Sequence, residues 1–552
     1  MRKGLPFHPI CFALFPILYL YSRNLALFPL TDLVRPATGA VVCAAAIFGL
    51  VWLIVRDVDR AAAVTSLAII EFCTFNLALQ LANGVLSFGM EVTAGTFVNY
   101  WWPLAFLSLV ALGWKWKRPI ALTGFLNVVG AVLVILPTCT IALGILRIRR
   151  ELASLKLPPQ QASAPIRGDA QPDVFYIILD GYGREDALQR YFGFSNRPFV
   201  EALEKRGFYV AKESRSNYCQ TELSLASSLN MDFISNLVKS SSIKFNLDRA
   251  PLDKLLDNNA VARNFRAHGY EYVSITSGFP GVHPLSADIL LSGPVTLSLF
   301  ESSLLDCTPL QSSPQMESLF DARREHLVGA LDNLLNMDTR GLRPRFVFAH
   351  VLAPHPPFVL DAGGKPIRQH KIPFGYWDAS AFFDVGGTQD EYHNGYLGQL
   401  QYVNRRILEI VDKLKKESPQ PIIILQGDHG SRMHLDQVSL AKSDVREAFR
   451  NFNAYLVPGS VRSELYAGIT PVNAFRVLFD ALYADSLSLK PDTSYFTSWD
   501  HPYSPIDVTR RVLKPLWLPK DRSYGARSDL KKPVELPLRG RLVAALSHGG
   551  RS

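Results

Sequence analysis

The sequence predicts an α-helical transmembrane anchor followed by an α/β domain, a mostly parallel sheet with helices on both faces. Three observations carry this. Residues 1 to about 146 are strongly apolar, whereas the remainder has the composition of a soluble globular protein. From Asp173 onward, short apolar runs alternate with helical stretches, the pattern of strand–helix–strand units. Two of those runs end in a carboxylate beside glycine, at Asp180-Gly181 and in Gly427-Asp-His-Gly430. That is the sheet edge at which open α/β folds collect ligands.

A chain of 552 residues is too long for one ordinary domain. It divides into an anchor over 1–150, a linker over 151–172, a catalytic domain over 173–525 and a basic tail over 526–552. Five apolar stretches are candidate spans: 8–28, 38–55, 61–82, 99–114 and 119–146. Arg2 and Lys3 precede the first, Arg56 and Arg60 follow the second, and Lys115, Lys117 and Arg118 follow the fourth, while 83–98 carries no Lys or Arg. The positive-inside rule then puts the N-terminus in the cytoplasm and, after five spans, the large domain on the outer, periplasmic side of the cytoplasmic membrane. Glu71 lies inside the third span, where an acid is a functional candidate by default and otherwise a paired structural group.

The formal net charge of +9 is spread over the chain, with no basic helix or nucleic-acid motif, so nucleic acid is excluded as a partner. Anionic lipid head groups are the alternative attraction. Cys11, Cys43, Cys73 and Cys139 lie in the spans as small packers. Cys219 and Cys307 stand alone in the outer domain, where an oxidising compartment would let them pair. The stretch 155–172, rich in Pro, Gln and Ala, reads as linker.

Candidate strands are 173–179, 207–211, 271–276, 345–350, 421–426 and 453–457. Candidate helices include 195–206, 221–229, 251–268, 316–337, 395–417 and 471–483, the last opened by Thr470-Pro471 as cap and first residue. Asp180 ends the first strand, where alone it would be no more than a turn residue. Thr221 begins a helical stretch, either as a plain cap or as a hydroxyl activated by the backbone N–H groups and dipole of a helix start. Asp428 and His429 share a tight turn after an all-apolar strand, a carboxylate and an imidazole suited to a metal. The segment Phe346-Val-Phe-Ala-His-Val-Leu-Ala-Pro-His-Pro-Pro-Phe358 carries His350, read as a core histidine or a substrate contact, and His355, read as a substrate contact able to protonate a leaving group.

Taken together, Leu179-Asp-Gly-Tyr182, Asn217-Tyr-Cys-Gln-Thr221, His350 with Pro354-His-Pro-Pro-Phe358, and Gly427-Asp-His-Gly430 resemble the alkaline phosphatase superfamily in its sulfatase-like branch. The resemblance covers about 173–485, and the pieces come in the family's order. With a five-span anchor the layout is similar to lipoteichoic acid synthases and lipid A phosphoethanolamine transferases. It implies an alkaline phosphatase-like fold and one divalent metal ion (zinc, manganese or magnesium) held by Asp180, Asp428, His429 and Thr221. It also implies Thr221 as nucleophile and His355 as substrate contact. Those transferases usually have Glu where this chain has Asp180, so the resemblance leaves the donor group open. No second-metal Asp-x-x-x-His pair is found; His393 and His434 are spare. True sulfatases convert a Cys in Cys-x-Pro-Ser-Arg to formylglycine, and Cys219-Gln-Thr-Glu-Leu223 lacks both Pro and Arg. The expected function is a metal-dependent hydrolase or transferase of phosphate or sulfate esters on lipids or envelope glycans, through a covalent Thr221 ester. The competing reading is a catalytically inactive member that binds a ligand or assembles envelope machinery.

Overall fold

A computed structural model describes residues 5–25, 28, 30–85, 94–115, 119–153, 171–238, 249–279, 281–282, 284, 286–293, 297–312, 314–338, 343–367, 374–418 and 420–516. Most of the linker and all of the basic tail fall outside the described residues. The chain forms two compact units: Met1–Arg150 together with Thr296–Leu319, and Glu151–Val295 together with Phe320–Ser552.

The first unit is helical and forms the membrane anchor. Helices occupy all five apolar stretches, at His8–Arg23, Val34–Val55, Val58–Cys73 with Phe75–Val85, Ala94–Lys115 and Pro119–Ala153. Among the described residues two, Leu30–Val55 and Leu122–Arg150, are long and apolar enough to cross a membrane. The pair Val58–Cys73 and Phe75–Asn83, bent by 53°, makes a third if it is one span. The first helix has only 16 residues, short of the roughly 20 a bilayer core needs. Leu50, Ile54, Leu104, Phe106 and Leu143 point outward, which water would penalise and lipid would not. Glu71 has a partner: Ser108 donates to its Oε1.

A segment expected in the catalytic domain belongs to this unit instead. The helix Leu299–Asp306 opens with a capping box, Ser298 and Glu301 satisfying each other's backbone N–H groups. Phe300 is fully buried against Tyr21 and Phe28, and Glu301 takes both ends of the Arg35 guanidinium. An apolar ring and a fork-shaped ion pair outweigh sequence proximity to the second unit.

The second unit is built on strands β1 (Val174–Leu179), β2 (Tyr209–Val210), β3 (Glu271–Ile275), β4 (Ile289–Leu291), β5 (Arg345–Val351), β6 (Ile422–Gln426) and β7 (Asn453–Leu456), with a separate hairpin of β8 (Tyr495–Ser498) and β9 (His501–Asp507). The seven-stranded sheet runs β2-β7-β6-β1-β5-β3-β4. Strands β6, β1, β5, β3 and β4 are parallel, and β7 is antiparallel to both β6 and β2. Alternate residues of the central strands feed two cores. Tyr176, Ile178, Phe346, Phe348 and Ile424 meet Leu225, Phe265 and Phe475 on one face. Phe175, Ile177, Leu179, Val347 and Leu425 meet Leu327, Tyr392 and Ile407 on the other. Both faces are therefore covered, which is why these strands read as unbroken apolar runs rather than alternating ones. Each large side chain buried there contributes about 1.5–3 kcal/mol, and Phe346→Ala would cost about 3–5 kcal/mol. The predicted helix 251–268 is two helices, Ala250–Asp257 and Ala260–Ala267, because Asn259 caps the second through its side chain. Cys219 and Cys307 are both free thiols, so the expected pairing is absent.

Candidate functional site

The parallel register of β1 with β5 and β6 brings three loops to one sheet edge. Asp180 follows β1 directly. Gly181 then turns with φ +73°, a conformation that disfavours any residue with a Cβ, and Tyr396 pins the turn by donating to the Gly181 carbonyl at 2.8 Å. The backbone N–H of His355 donates to the Asp180 carbonyl at 3.2 Å, tying the loop after β5 to the end of β1. After β6, Gly427 and Gly430 donate backbone N–H to Phe452 and Ala448, each at 2.8 Å. A Cβ at Gly430 would run into the Glu447 carbonyl, so glycine is what lets this loop lie flat. Thr221 is the first residue of the helix Thr221–Leu229. Arg249 steadies that start from both sides, donating to Gln220 at 2.7 Å and to Glu222 at 2.5 Å while its guanidinium stacks on Trp499.

Asp180, Thr221, Asp428 and His429 converge. Thr221 Oγ1 lies 3.3 Å from His429 Nε2 and 3.5 Å from Asp180 Oδ2. His429 Nε2 lies 3.3 Å from Asp428 Oδ2 and 3.6 Å from Asp180 Oδ1. His429 Nδ1 donates to the Gly430 carbonyl at 2.8 Å, which leaves Nε2 with its lone pair facing the cluster. Asp428 Oδ1 is held by the Gly181 N–H at 2.9 Å. The remaining oxygens, Asp180 Oδ1 and Asp428 Oδ2, are buried with no hydrogen-bond partner. Two orphaned carboxylate oxygens and an imidazole lone pair, all within 4.8 Å of one another, are costly unless a cation joins them. Donors about 2.0–2.1 Å from a tetrahedral ion stand roughly 3.3–3.4 Å apart. The residues therefore fit a small divalent ion.

The charges agree with that. Burial and the neighbouring Asp180 carboxylate push Asp428 well above the usual carboxylate range. Burial works against Asp180 as well, but His355, His350 and His429 draw it below the usual carboxylate range. Burial, with Arg432 nearby, lowers His429 to about 4, so its imidazole is neutral and free to ligate.

His350, near the end of β5, fits the core-histidine reading, whereas His355, in the loop that follows, differs from expectation. His350 is wholly buried, donating to Asp180 Oδ2 from Nε2 at 3.1 Å and accepting from Ser277 at Nδ1 at 2.8 Å. With both nitrogens committed it stands behind the carboxylate, not against a substrate. His355 Nδ1 donates to the Pro356 carbonyl. Its Nε2 accepts from Arg432 Nη2 at 3.0 Å. Burial lowers its pKa too. In this arrangement His355 holds no proton on Nε2 to give away.

Sequence reasoning missed the group that organises this wall. Arg432 donates from Nε to Asp378 Oδ2 at 2.6 Å and from Nη1 to the Cys219 carbonyl at 3.1 Å. Tyr392 donates to Asp378 Oδ1 at 2.6 Å. Burial opposes the Asp378 charge, yet Arg432 and His355 hold it down near 2. Arg432 lies two residues beyond Gly430 and could have been noticed for that; Asp378 sits in a stretch with no motif. Cys219 is buried among Ala379, Leu435 and Phe449, and burial raises its thiol to about 12. It is a packing residue.

The sulfatase family profile matches residues 172–475, more than half of the chain. The chain belongs to the sulfatase family, an alkaline phosphatase-like fold. Among solved structures it is similar to the periplasmic domain of EptC from Escherichia coli, at 12% identity over 64% of this chain and 96% of that one, with a TM-score of 0.42. It is also similar to the integral membrane lipooligosaccharide phosphoethanolamine transferase A from Neisseria meningitidis, at 14% identity over 87% of this chain and 97% of that one, with a TM-score of 0.39. No curated protein matches the sequence.

Proposed function

We propose that this protein is a membrane-anchored, metal-dependent hydrolase or transferase that acts on phosphate or sulfate esters of lipids or envelope glycans from the outer face of the cytoplasmic membrane, with Thr221 as nucleophile. The observation that carries the reading is the placement of Thr221 Oγ1 at a helix start, 3.3 Å from His429 Nε2 and beside two orphaned carboxylate oxygens. Asp180, Asp428, His429 and Thr221 would hold the ion, which supplies Lewis acidity and eases ionisation of an attached hydroxyl.

The chain's own groups do the rest. The N–H groups and dipole at the start of Thr221–Leu229 favour negative charge on the attacking oxygen. That oxygen bonds to phosphorus or sulfur while the ester oxygen leaves with the bonding pair and the hydroxyl proton. Water or an alcohol then displaces Thr221 and restores its hydroxyl; which one arrives decides between hydrolase and transferase. The buried Arg432 lends positive charge to the developing oxyanion, and His355 orients it. Formylglycine chemistry is disfavoured by the packed, protonated Cys219 thiol and the missing Pro and Arg.

The test is the intact mass of the full chain in detergent micelles with added divalent metal, exposed in turn to phosphatidylglycerol, phosphatidylethanolamine and an aryl sulfate. A mass adduct present in the wild type and lost in Thr221→Ala is expected, and its size identifies the transferred group. An equal adduct in Thr221→Ala, or turnover near that of the wild type, overturns the reading.

A further inference from the structure

The helix that carries Thr221 is poorly capped. Gln220 stands at its N-cap in extended backbone, φ −117° and ψ 131°, and makes no side-chain capping bond. Ser, Thr, Asp or Asn there would satisfy a free N–H of the first turn. Gln220 spends its amide elsewhere. Its Nε2 donates to the carbonyl and the hydroxyl of Thr497, at 2.9 and 3.0 Å, and its Oε1 accepts from Arg249 Nη2 at 2.7 Å. Thr221 is therefore the residue at which the chain turns from extended to helical, and a small rotation there swings its hydroxyl.

Arg249 bridges that bend. Its Nη1 donates to Glu222 Oε2 at 2.5 Å, so one guanidinium holds both the residue before Thr221 and the residue after it. The bridge is itself held on every side. Arg249 is 2% exposed and precedes the helix Ala250–Asp257, whose Leu252 and Leu255 share a core with Leu225 of the Thr221 helix. Trp499 lies against the guanidinium, its ring centroid 4.0 Å from Cζ, and its backbone N–H donates to the Gln437 carbonyl at 2.7 Å. A Cβ on Gly281 would overlap the Glu222 carboxylate, which leaves that carboxylate no room to swing away. Thr497 and Trp499 lie beyond residue 475, where the family match ends. A cation at a helix start opposes the helix dipole, and an ion pair made for stability alone needs only Glu222. The bond to Gln220 is what such a pair does not explain.

Resting on the proposed ester chemistry, we infer that Arg249 is a positioning residue, which ties Gln220 to Glu222 and so aims the Thr221 hydroxyl at the cluster of Asp180, Asp428 and His429. It acts through the two neighbours of Thr221 and not on the ester. A guanidinium suits this task because its two Nη groups reach two acceptors at once from one rigid plane, whereas a Lys ammonium is a point charge on a flexible stem. Misplacing an attacking atom by about 1 Å costs on the order of 100-fold in rate. Contacts that bind the ester before attack are untouched, so the loss falls on kcat and spares KM.

The experiment compares wild type, Thr221→Ala, Arg249→Gln and Arg249→Lys as full chains in micelles. Turnover of an aryl phosphate and of an aryl sulfate is measured with divalent metal and counted per bound ion, so that unfolded chains drop out. The same chains are loaded with cobalt(II), whose visible absorption reports the groups around the ion. In Arg249→Gln, kcat should fall by about 100-fold with KM within about twofold of wild type. Arg249→Lys, which reaches one partner at a time, should recover about tenfold of that loss. The cobalt spectrum of Arg249→Gln should move from that of wild type toward that of Thr221→Ala. A wild-type kcat per bound ion in Arg249→Gln overturns the inference and leaves Arg249 a structural ion pair. A raised KM at unchanged kcat also overturns it, by making Arg249 a substrate contact. Turnover retained in Thr221→Ala overturns the nucleophile reading instead. Where wild type turns over neither ester, the spectrum decides: a shift in Arg249→Gln supports the inference, and a wild-type spectrum overturns it. A wild type with neither turnover nor a Thr221-dependent spectrum overturns the inference together with the reading it rests on.

Discussion

Replacing Asp378 by leucine would leave the Arg432 guanidinium buried without its carboxylate. Asp378 accepts from Arg432 and from Tyr392, both at 2.6 Å, and is 3% exposed. Removing one member of a buried pair costs about 3–5 kcal/mol, chiefly because the survivor stays desolvated and charged. For a folding unit of roughly 300 residues, an unfolding entropy near 2.1 cal/mol/K per residue makes this a fall of about 5–8 °C in Tm. Adding Arg432→Met removes the stranded charge and should restore about 2–3 kcal/mol. Recovery is incomplete because the Tyr392 hydroxyl, the Cys219 carbonyl and His355 Nε2 still lack partners, at about 1 kcal/mol each. The assay is thermal unfolding of the full chain in micelles for both single variants and the double, followed by near-ultraviolet circular dichroism. If the double variant is as unstable as the sum of the singles, the two residues are not coupled and the reasoning fails.

Two further predictions follow from the same geometry. His350→Phe removes the donor to Asp180 without replacing any proposed ligand, so divalent-metal affinity should fall by about 10–100-fold; competition with a chromophoric chelator measures it, and unchanged affinity would place His350 outside the ligand support. His434 gives a pH test. Burial lowers its pKa, but the 2.7 Å contact with Glu447 outweighs this and raises it above 6.5. A raised imidazole pKa stabilises the fold fully below the unfolded value and loses that contribution as pH climbs through the folded one. His434→Gln should therefore be less stable than wild type at pH 6 and close to it at pH 9; equal deficits at the two pH values would show the charge to be irrelevant.

Much of the second unit was legible because its signals are local. An all-apolar run such as Ile422–Gln426 cannot be a half-exposed strand, and a Gly-bracketed Asp-His turn after it has few other uses. The approach of Asp180, Thr221, Asp428 and His429 could be expected once three strand ends were assigned to one sheet edge. What stayed hidden depends on partners distant in sequence. Nothing near Asp378 announces Arg432, and His355 looked like a proton donor because its neighbour Arg432 is 77 residues away in the chain. Edge strand β4, with Ile289 and Leu290 exposed, is too short to show a period. The anchor was legible as apolar stretches, but not the break at Thr74, where one stretch holds two helices at 53°. Nor was the placement of Leu299–Asp306, whose two decisive contacts reach back to Arg35 and Tyr21.

That last segment changes what it means to separate the two units. The chain passes between them three times, near residue 150, near 295 and near 319. Cutting the linker alone would sever one strand of a three-strand rope. The fragment beginning after it would still carry Phe300 and Glu301, now facing water, and would cling to any anchor left in the same micelle. An excised domain is thus a molecule with a raw edge, whereas removing 297–312 together with the anchor would take the sticky surface away with its partner.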